Sequence, residues 1–492
     1  MTAARRGTGT AVEAALTYMA TTEDLRRVSE HLFLDQQTLL PPAATDDRAR
    51  QIGLLERMIR DRLAADEFGA LLDAVQAERP DVPWLAAARR DLDRERLRPA
   101  AAQQAFASVG IQANTAWKRA REEDDWGAFA PWLARMVEIN LEVAAAVGYA
   151  EHPHDALLSL YDPGPTTREL DTLFDRLRPD LVGLSRDRPL VEVPESPVVP
   201  TGTLLAISRD VALLLGFDLD RGALAISPHG YTNPGGPNDI RVTFRDDRPV
   251  AATLGTVLHE LGHALYEQGI DPELWGTAAG RGVMPYLHES QSKFWENIVG
   301  RRRDLMPALA DILTAHLGPD VPGCSAEELY HLQVHSPASM IRTESDEVSF
   351  NLHILLRWEV ERGLLSGGLS VDEVPELWAE RSREFFGRPP RDFAEGPLQD
   401  PHWCRRYMGL FTSYVVGNLA SAQMAEQLGT DGVDLATAVE GRDLAPVLGW
   451  LRREVHGPGR SLPMTDLLVR ATGRPLDAEP YRRHLTGRYA VA

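Results

Sequence analysis

His259 and His263 stand four residues apart in the run Val-Leu-His-Glu-Leu-Gly-His-Ala-Leu-Tyr-Glu-Gln-Gly. On an α-helix that spacing puts both imidazoles on nearly the same face, one turn above the other, where they can bind one metal ion. Glu260, beside the first imidazole, can then take a proton from an activated water and pass it to a leaving amine. Val257, Leu261 and Leu265 supply an apolar backing, and Gly269 suits the helix C-terminus. Two histidines merely packed on a buried helix would leave the same pattern, so a third ligand decides between the readings. Glu289, in His288-Glu289-Ser290-Gln291 at the start of another helical stretch, completes a set of two histidines and one glutamate. Such a set leaves a coordination position for water, as hydrolytic zinc sites do and closed structural sites do not. Zinc is the default ion, one per chain, and cobalt or manganese accept the same donors.

The elements that must position these residues are mostly helices. Leu, Ala, Arg and Glu dominate the 492 residues while aromatics make up 7%, which favours a mainly helical fold. Amphipathic periodicity predicts successive helices from residue 11 to about 145 and again from Val250 nearly to the C-terminus. Another helix follows the turn Asp162-Pro163-Gly164-Pro165, with Thr166 or Thr167 as its N-cap. Only between about 222 and 245 does the pattern change. There Ala223 to Ser227 and Asp239 to Arg245 read as short strands around the loop Pro-His-Gly-Tyr-Thr-Asn-Pro-Gly-Gly-Pro-Asn, a small hairpin or sheet near the metal helix. In the second strand Ile240, Val242 and Phe244 alternate with Asp239, Arg241 and Thr243, giving a polar face that could line a cleft. The expected organisation is one unit over 1–492. Within it, two helical lobes would be an N-terminal part over about 1–220 and, over about 221–492, the strands, the metal helix and the substrate helices.

A net charge of −20 argues against a nucleic-acid or membrane-surface role, since either surface would repel the chain. Only Lys118 and Lys293 are lysines, so a cation that grips a substrate carboxylate must be an arginine. Two cysteines, Cys324 and Cys404, cannot build a disulfide framework, which fits a reducing, cytoplasmic compartment. Glu13 and Thr17 interrupt what would have to be the apolar core of a leader peptide, and no apolar run is long enough to span a membrane.

Several further segments carry a resemblance. Leu34-Asp35-Gln36-Gln37-Thr38 lies near the start and Asp239-Ile240-Arg241-Val242-Thr243 in the middle. After the two histidine motifs come Ile341-Arg342-Thr343-Glu344-Ser345-Asp346-Glu347 and Leu398-Gln399-Asp400-Pro401-His402-Trp403. In this order they resemble the carboxypeptidase Taq family of metallocarboxypeptidases over nearly the whole chain. The resemblance implies removal of single residues from peptide C-termini by a mostly helical homodimer with a deep active-site groove. It also implies a metal held by His259, His263 and Glu289, with Glu260 as general base. The sequence departs from the family at His229-Gly230-Tyr231, where the family has H-P-F, and at Cys404-Arg405-Arg406, where it has S-x-G after H-W.

An exopeptidase must recognise a terminal carboxylate, a task for paired hydrogen bonds from a guanidinium. Arg342 and Arg241 are the candidates, although Asp346 and Asp239 stand where either arginine would form a structural ion pair. Asp239, Thr243 and His229 are the remaining candidates for substrate contact. Tyr414 and His402 can donate to the oxyanion of the reaction. Peptides are thus the expected partners. An oligoendopeptidase or dipeptidyl carboxypeptidase of similar helical fold, and an inactive peptide-binding scaffold, are the competing readings.

Overall fold

The computed structural model describes residues 10–161, 163–187, 191–335, 338–405 and 407–489. Residues 1–9, Asp162 and Arg406, all part of segments read above, lie outside the described residues. Helices dominate, and one three-stranded sheet is the β-structure among the described residues. Packing groups the chain into two compact units. One is built from Met1–Arg96, Val198–Val283 and Gly441–Pro463, the other from Leu97–Pro197, Met284–Glu440 and Met464–Ala492. The units are interleaved along the chain, whereas the periodicity suggested a division near residue 220. Periodicity is a local signal and does not say which distant helices will pack together.

In the first unit β1 (Gly222–Ile226), β2 (Tyr231–Pro234) and β3 (Ile240–Phe244) lie in the order β1-β3-β2. The central β3 is parallel to β1 and antiparallel to β2. Ile240, Val242 and Phe244 are fully buried, and β3 and β2 both pack on the helix Val250–Gly269. β2 falls inside what the sequence presents as a loop. Gly230 and Gly235-Gly236 bracket it with turn residues, and Pro234 is tolerated because β2 is an edge strand. The helix Val250–Gly269 starts directly after Pro249 and buries Val250, Leu254, Val257, Leu258, Leu261 and Leu265 to 2% exposure or less. Each such side chain contributes about 1.5–3 kcal/mol of burial, which fixes the direction in which His259, Glu260 and His263 point.

In the second unit the helices Glu347–Ser366 and Thr412–Thr430 are buried around most of their circumference. Their polar residues therefore find partners inside the protein. Asn297 donates to Asn418 at 2.8 Å, Asn418 to Asn351 at 3.0 Å, Asn351 to the Tyr481 hydroxyl at 2.8 Å, and Tyr481 to Glu347 at 3.2 Å. Asp346 caps the first of these helices through the amides of Val348 and Ser349. In the helix Thr167–Asp187, Thr166 and Glu169 form the reciprocal pair of a capping box, so Thr166 is the cap.

The first unit also buries a charge cluster. Asp91, fully buried, accepts from Arg94 and Arg281 at 2.7 Å each and from Arg460 at 3.0 Å. Burial opposes ionisation of Asp91, but the guanidiniums of Arg460, Arg281 and Arg94 outweigh it and hold the carboxyl well below the usual carboxylate range. A carboxyl depressed in the folded state stabilises above its unfolded value of about 4, and that contribution is lost as pH falls further. Asp91→Asn is therefore expected to cost about 3–5 kcal/mol at neutral pH, the penalty for breaking a buried ion pair. The gap between variant and parent should narrow as unfolding is followed down to pH 3. Denaturant melts at pH 7 and pH 3 check both parts.

Candidate metal centre and active site

The helix Val250–Gly269 presents His259 and His263 one turn apart, with ring centroids 4.8 Å from each other and ring planes perpendicular. His263 is buried and His259 half-buried. Glu260 is 7% exposed, and the Thr232 hydroxyl lies 2.8 Å from both its Oε2 and its backbone carbonyl oxygen. β2 thus sets the direction of the expected base, a role the sequence hid because Thr232 reads as loop. The neighbouring Gly230 is a requirement of the same contact. A Cβ there would lie 2.9 Å from Thr256 Cγ2 and 3.1 Å from Glu260 Oε1.

Glu289 belongs to the helix Tyr286–Lys293, which runs on into a π-helical turn, Phe294–Val299. The Ser292 hydroxyl lies 2.8 Å from the Glu289 backbone oxygen and 3.2 Å from Oε2. The helix Thr412–Thr430 approaches at Gly417, where a Cβ would lie 2.9 Å from both the carbonyl carbon and Cβ of Glu289. One ligand atom from each of His259, His263 and Glu289 lies within 4.8 Å of the others. Ligand atoms this close could be shared by a single divalent ion. Two imidazoles and one carboxylate are the donors of an open zinc-type site, so the residues fit the ion that the spacing implies.

In the second unit Arg342, buried to 6% exposure, does not pair with Asp346, which is occupied at its helix cap. Its Nε and Nη2 instead reach Asp400, at 3.1 Å and 2.9 Å. Arg357 donates to the same carboxylate from Nε at 2.9 Å. The Arg342 guanidinium lies 5.4–5.6 Å from the ring centres of Phe350, Phe411 and Tyr414. Burial opposes its charge, but Asp400 more than compensates and raises its pKa above the ordinary arginine value. Arg357 gives way: burial, with Arg342 nearby, pushes it down to about 10 against the pull of Asp400. His402 Nδ1 lies 3.7 Å from Asp400 and its ring packs on Phe411, centroids 4.6 Å apart. Tyr414 is half-buried and meets Phe350 edge-on at 5.5 Å. Arg342, His402 and Tyr414 therefore gather around Asp400 and Phe411. Asp400 and Arg357 are the members that sequence reasoning did not assign, although Asp400 stands in the quoted Leu398–Trp403 segment.

The strand candidates fare differently. Arg241 and Asp239 form a partly exposed bidentate pair at 2.7 Å and 2.9 Å, the structural pairing that their spacing allowed. Hydrogen bonding to Arg241 holds the Asp239 carboxyl below its usual value. Thr243 is fully buried, and its hydroxyl joins Ser227 at 2.7 Å and the Tyr231 carbonyl at 3.2 Å. It ties β2, β3 and the end of β1 together by hydrogen bonds, and this position of the polar face is closed off from solvent. His229 is exposed at the turn before β2. Cys324 and Cys404 are both buried, and neither forms a disulfide among the described residues. No helix among the described residues is long and apolar enough to cross a membrane.

The sequence profile of the carboxypeptidase Taq (M32) metallopeptidases matches residues 14–489. Thermostable carboxypeptidase 1 of Thermus thermophilus is 35% identical over 488 residues, covering 93% of this chain and 94% of that protein. A solved structure of Pyrococcus furiosus carboxypeptidase has a TM-score of 0.93 and 29% identity, with 98% of this chain and 99% of that chain covered. The M32 carboxypeptidase of Deinococcus radiodurans gives a TM-score of 0.91 at 31% identity, over 97% and 98% of the two chains. With donors for a divalent metal and a match along nearly its full length, the chain belongs to the carboxypeptidase Taq (M32) family and is a metal-dependent carboxypeptidase.

Proposed function

We propose that this carboxypeptidase removes C-terminal residues with Glu260 as general base and Arg342 as the group that reads the terminal carboxylate. The observation that carries the reading is the orientation of Glu260, held by Thr232 beside the ligand histidines. His259, His263 and Glu289 would hold a divalent ion, with zinc as the first choice, and when bound it would supply Lewis acidity for the scissile carbonyl and an attacking water. Glu260 takes the proton of the attacking water and returns it to the amine nitrogen as the C–N bond breaks. Arg342 and Arg357 share the one carboxylate of Asp400, and the Arg342 guanidinium also lies beside the ring of Tyr414, so a substrate carboxylate brought there would meet a guanidinium held in place. The hydroxyl of Tyr414 and a ring N–H of His402 are the donors for the developing oxyanion. His229 and the Asp239–Arg241 pair are reserved for the substrate further from the cut. A content of only two cysteines supports a reducing, cytoplasmic compartment, and the family resemblance supports a homodimer, which light scattering would register as twice the chain mass.

Glu260→Gln should keep its metal while kcat falls by about 10²- to 10⁴-fold, the usual worth of a positioned base. Unchanged turnover in metal-loaded protein would contradict the assignment. A peptide with a blocked N-terminus should be trimmed while its C-terminally amidated twin is spared. Arg342→Lys should lower kcat/KM on the free acid about 10- to 100-fold, as the loss of a charge-assisted fork requires. Equal cleavage of acid and amide by the parent enzyme would instead favour the endopeptidase reading. Gly417→Ala should push against Glu289 and weaken metal retention by about 10-fold, measured by competition with a chelator.

A further inference from the structure

Glu361 lies on the buried helix Glu347–Ser366, one turn beyond Arg357, and is 1% exposed. Its two carboxylate oxygens are spent on two separate points of the chain. Oε1 accepts from the indole N–H of Trp403 at 2.9 Å, and Oε2 accepts from the backbone N–H of Gly409 at 2.8 Å. Trp403 is the residue next to His402, and Gly409 precedes Tyr414 by five residues. His154, fully buried and stacked on Trp358 with centroids 4.6 Å apart, closes the far side with Nε2 3.6 Å from Glu361 Oε2. Gly409 has a φ of +108°, and a Cβ there would come 2.7 Å from Leu158 and 3.2 Å from His154 Nε2. The backbone at this corner is thus confined on one side by His154 and held on the other by Glu361.

We infer that Glu361 is a positioning residue for the reaction, because one carboxylate fastens both the Trp403 and the Gly409 anchor and thereby sets His402 and Tyr414 relative to each other. The inference rests on the reading that those two side chains donate to the reacting carbonyl. The chemistry of the position is restrictive. Two N–H donors face the two oxygens, so only a group that accepts at both ends satisfies them. Glutamine has the same shape but must turn its NH₂ towards one of the donors, and a buried donor left without an acceptor is costly. Neither anchor touches the metal ligands, so metal content is unaffected by their loss.

The test uses the full-length, metal-loaded enzyme at a temperature where circular dichroism shows every variant folded. Glu361→Gln is expected to retain its metal and a KM within about twofold of the parent, while kcat falls about 10-fold or more, the pattern of lost transition-state contacts. Trp403→Phe removes one of the two donors, so the double variant Trp403→Phe/Glu361→Gln should recover activity above Glu361→Gln alone. Parent-like kcat in Glu361→Gln, or a double variant no more active than Glu361→Gln, overturns the inference. Should Glu361→Gln not fold, Trp403→Phe alone carries the test, with kcat expected to fall about fivefold at unchanged KM for one lost hydrogen bond; an unchanged kcat overturns the role. Tyr414→Phe run alongside separates the two possible failures. A fully active Tyr414→Phe removes the donor assignment and the positioning role with it, whereas a slow Tyr414→Phe beside a parent-like Glu361→Gln overturns the positioning role only.

Discussion

Two imidazoles four residues apart can address one ion only while the helix that carries them stays regular and cannot rotate. Burial of the apolar residues from Val250 to Leu265 imposes that constraint on the first unit. The small sheet then serves the same helix: it packs against it, and its edge strand delivers Thr232 to the carboxylate of Glu260, between His259 and His263. Gly230 keeps that approach open. Substituting Thr232 or Gly230 would leave His259 and His263 in the chain while changing the direction of Glu260.

The second unit meets a different constraint, the burial of charge. Water is scarce around the helices Glu347–Ser366 and Thr412–Thr430, so each ionised side chain there is useful only where its partner is fixed. Asp400 holds Arg342 and Arg357, and Glu361 holds Trp403 and Gly409. Lys293, the one buried lysine, pairs with Glu296 at 2.7 Å over the ring of Phe350. Arginine suits most of these places because its planar fork satisfies a carboxylate with two hydrogen bonds at once. The outcome is a rigid wall on which His402, Tyr414 and Arg342 occupy fixed places.

Much of this was legible in the chain. The spacing of His259 and His263, the later Glu289, the helical periodicity and the alternation of Ile240, Val242 and Phe244 are local patterns, and local patterns survive in a sequence read residue by residue. The ordered motifs of the family resemblance added the reaction. What escaped depends on contacts between distant segments. Thr232 looked like a loop residue because its strand is four residues long and bracketed by glycines. Asp346, four residues on, offered Arg342 a structural partner, but the partner is Asp400, which no helical spacing indicates. Thr243 was expected on a cleft-lining face because its strand alternates; its buried hydroxyl is engaged by Ser227 and the Tyr231 carbonyl, which alternation does not indicate. Glu361 and Gly417 carry no signal of their own; their roles exist only once the helices are packed.

In the proposed centre His259, His263 and Glu289 hold one divalent ion together. Calorimetric titration of chelator-stripped protein with zinc measures this directly, run on the parent and on Glu289→Ala. The account predicts one tight site per chain in the parent and an affinity lower by at least about 100-fold in the variant, as expected when one of three protein ligands is lost. Parent-like stoichiometry and affinity in Glu289→Ala would contradict it.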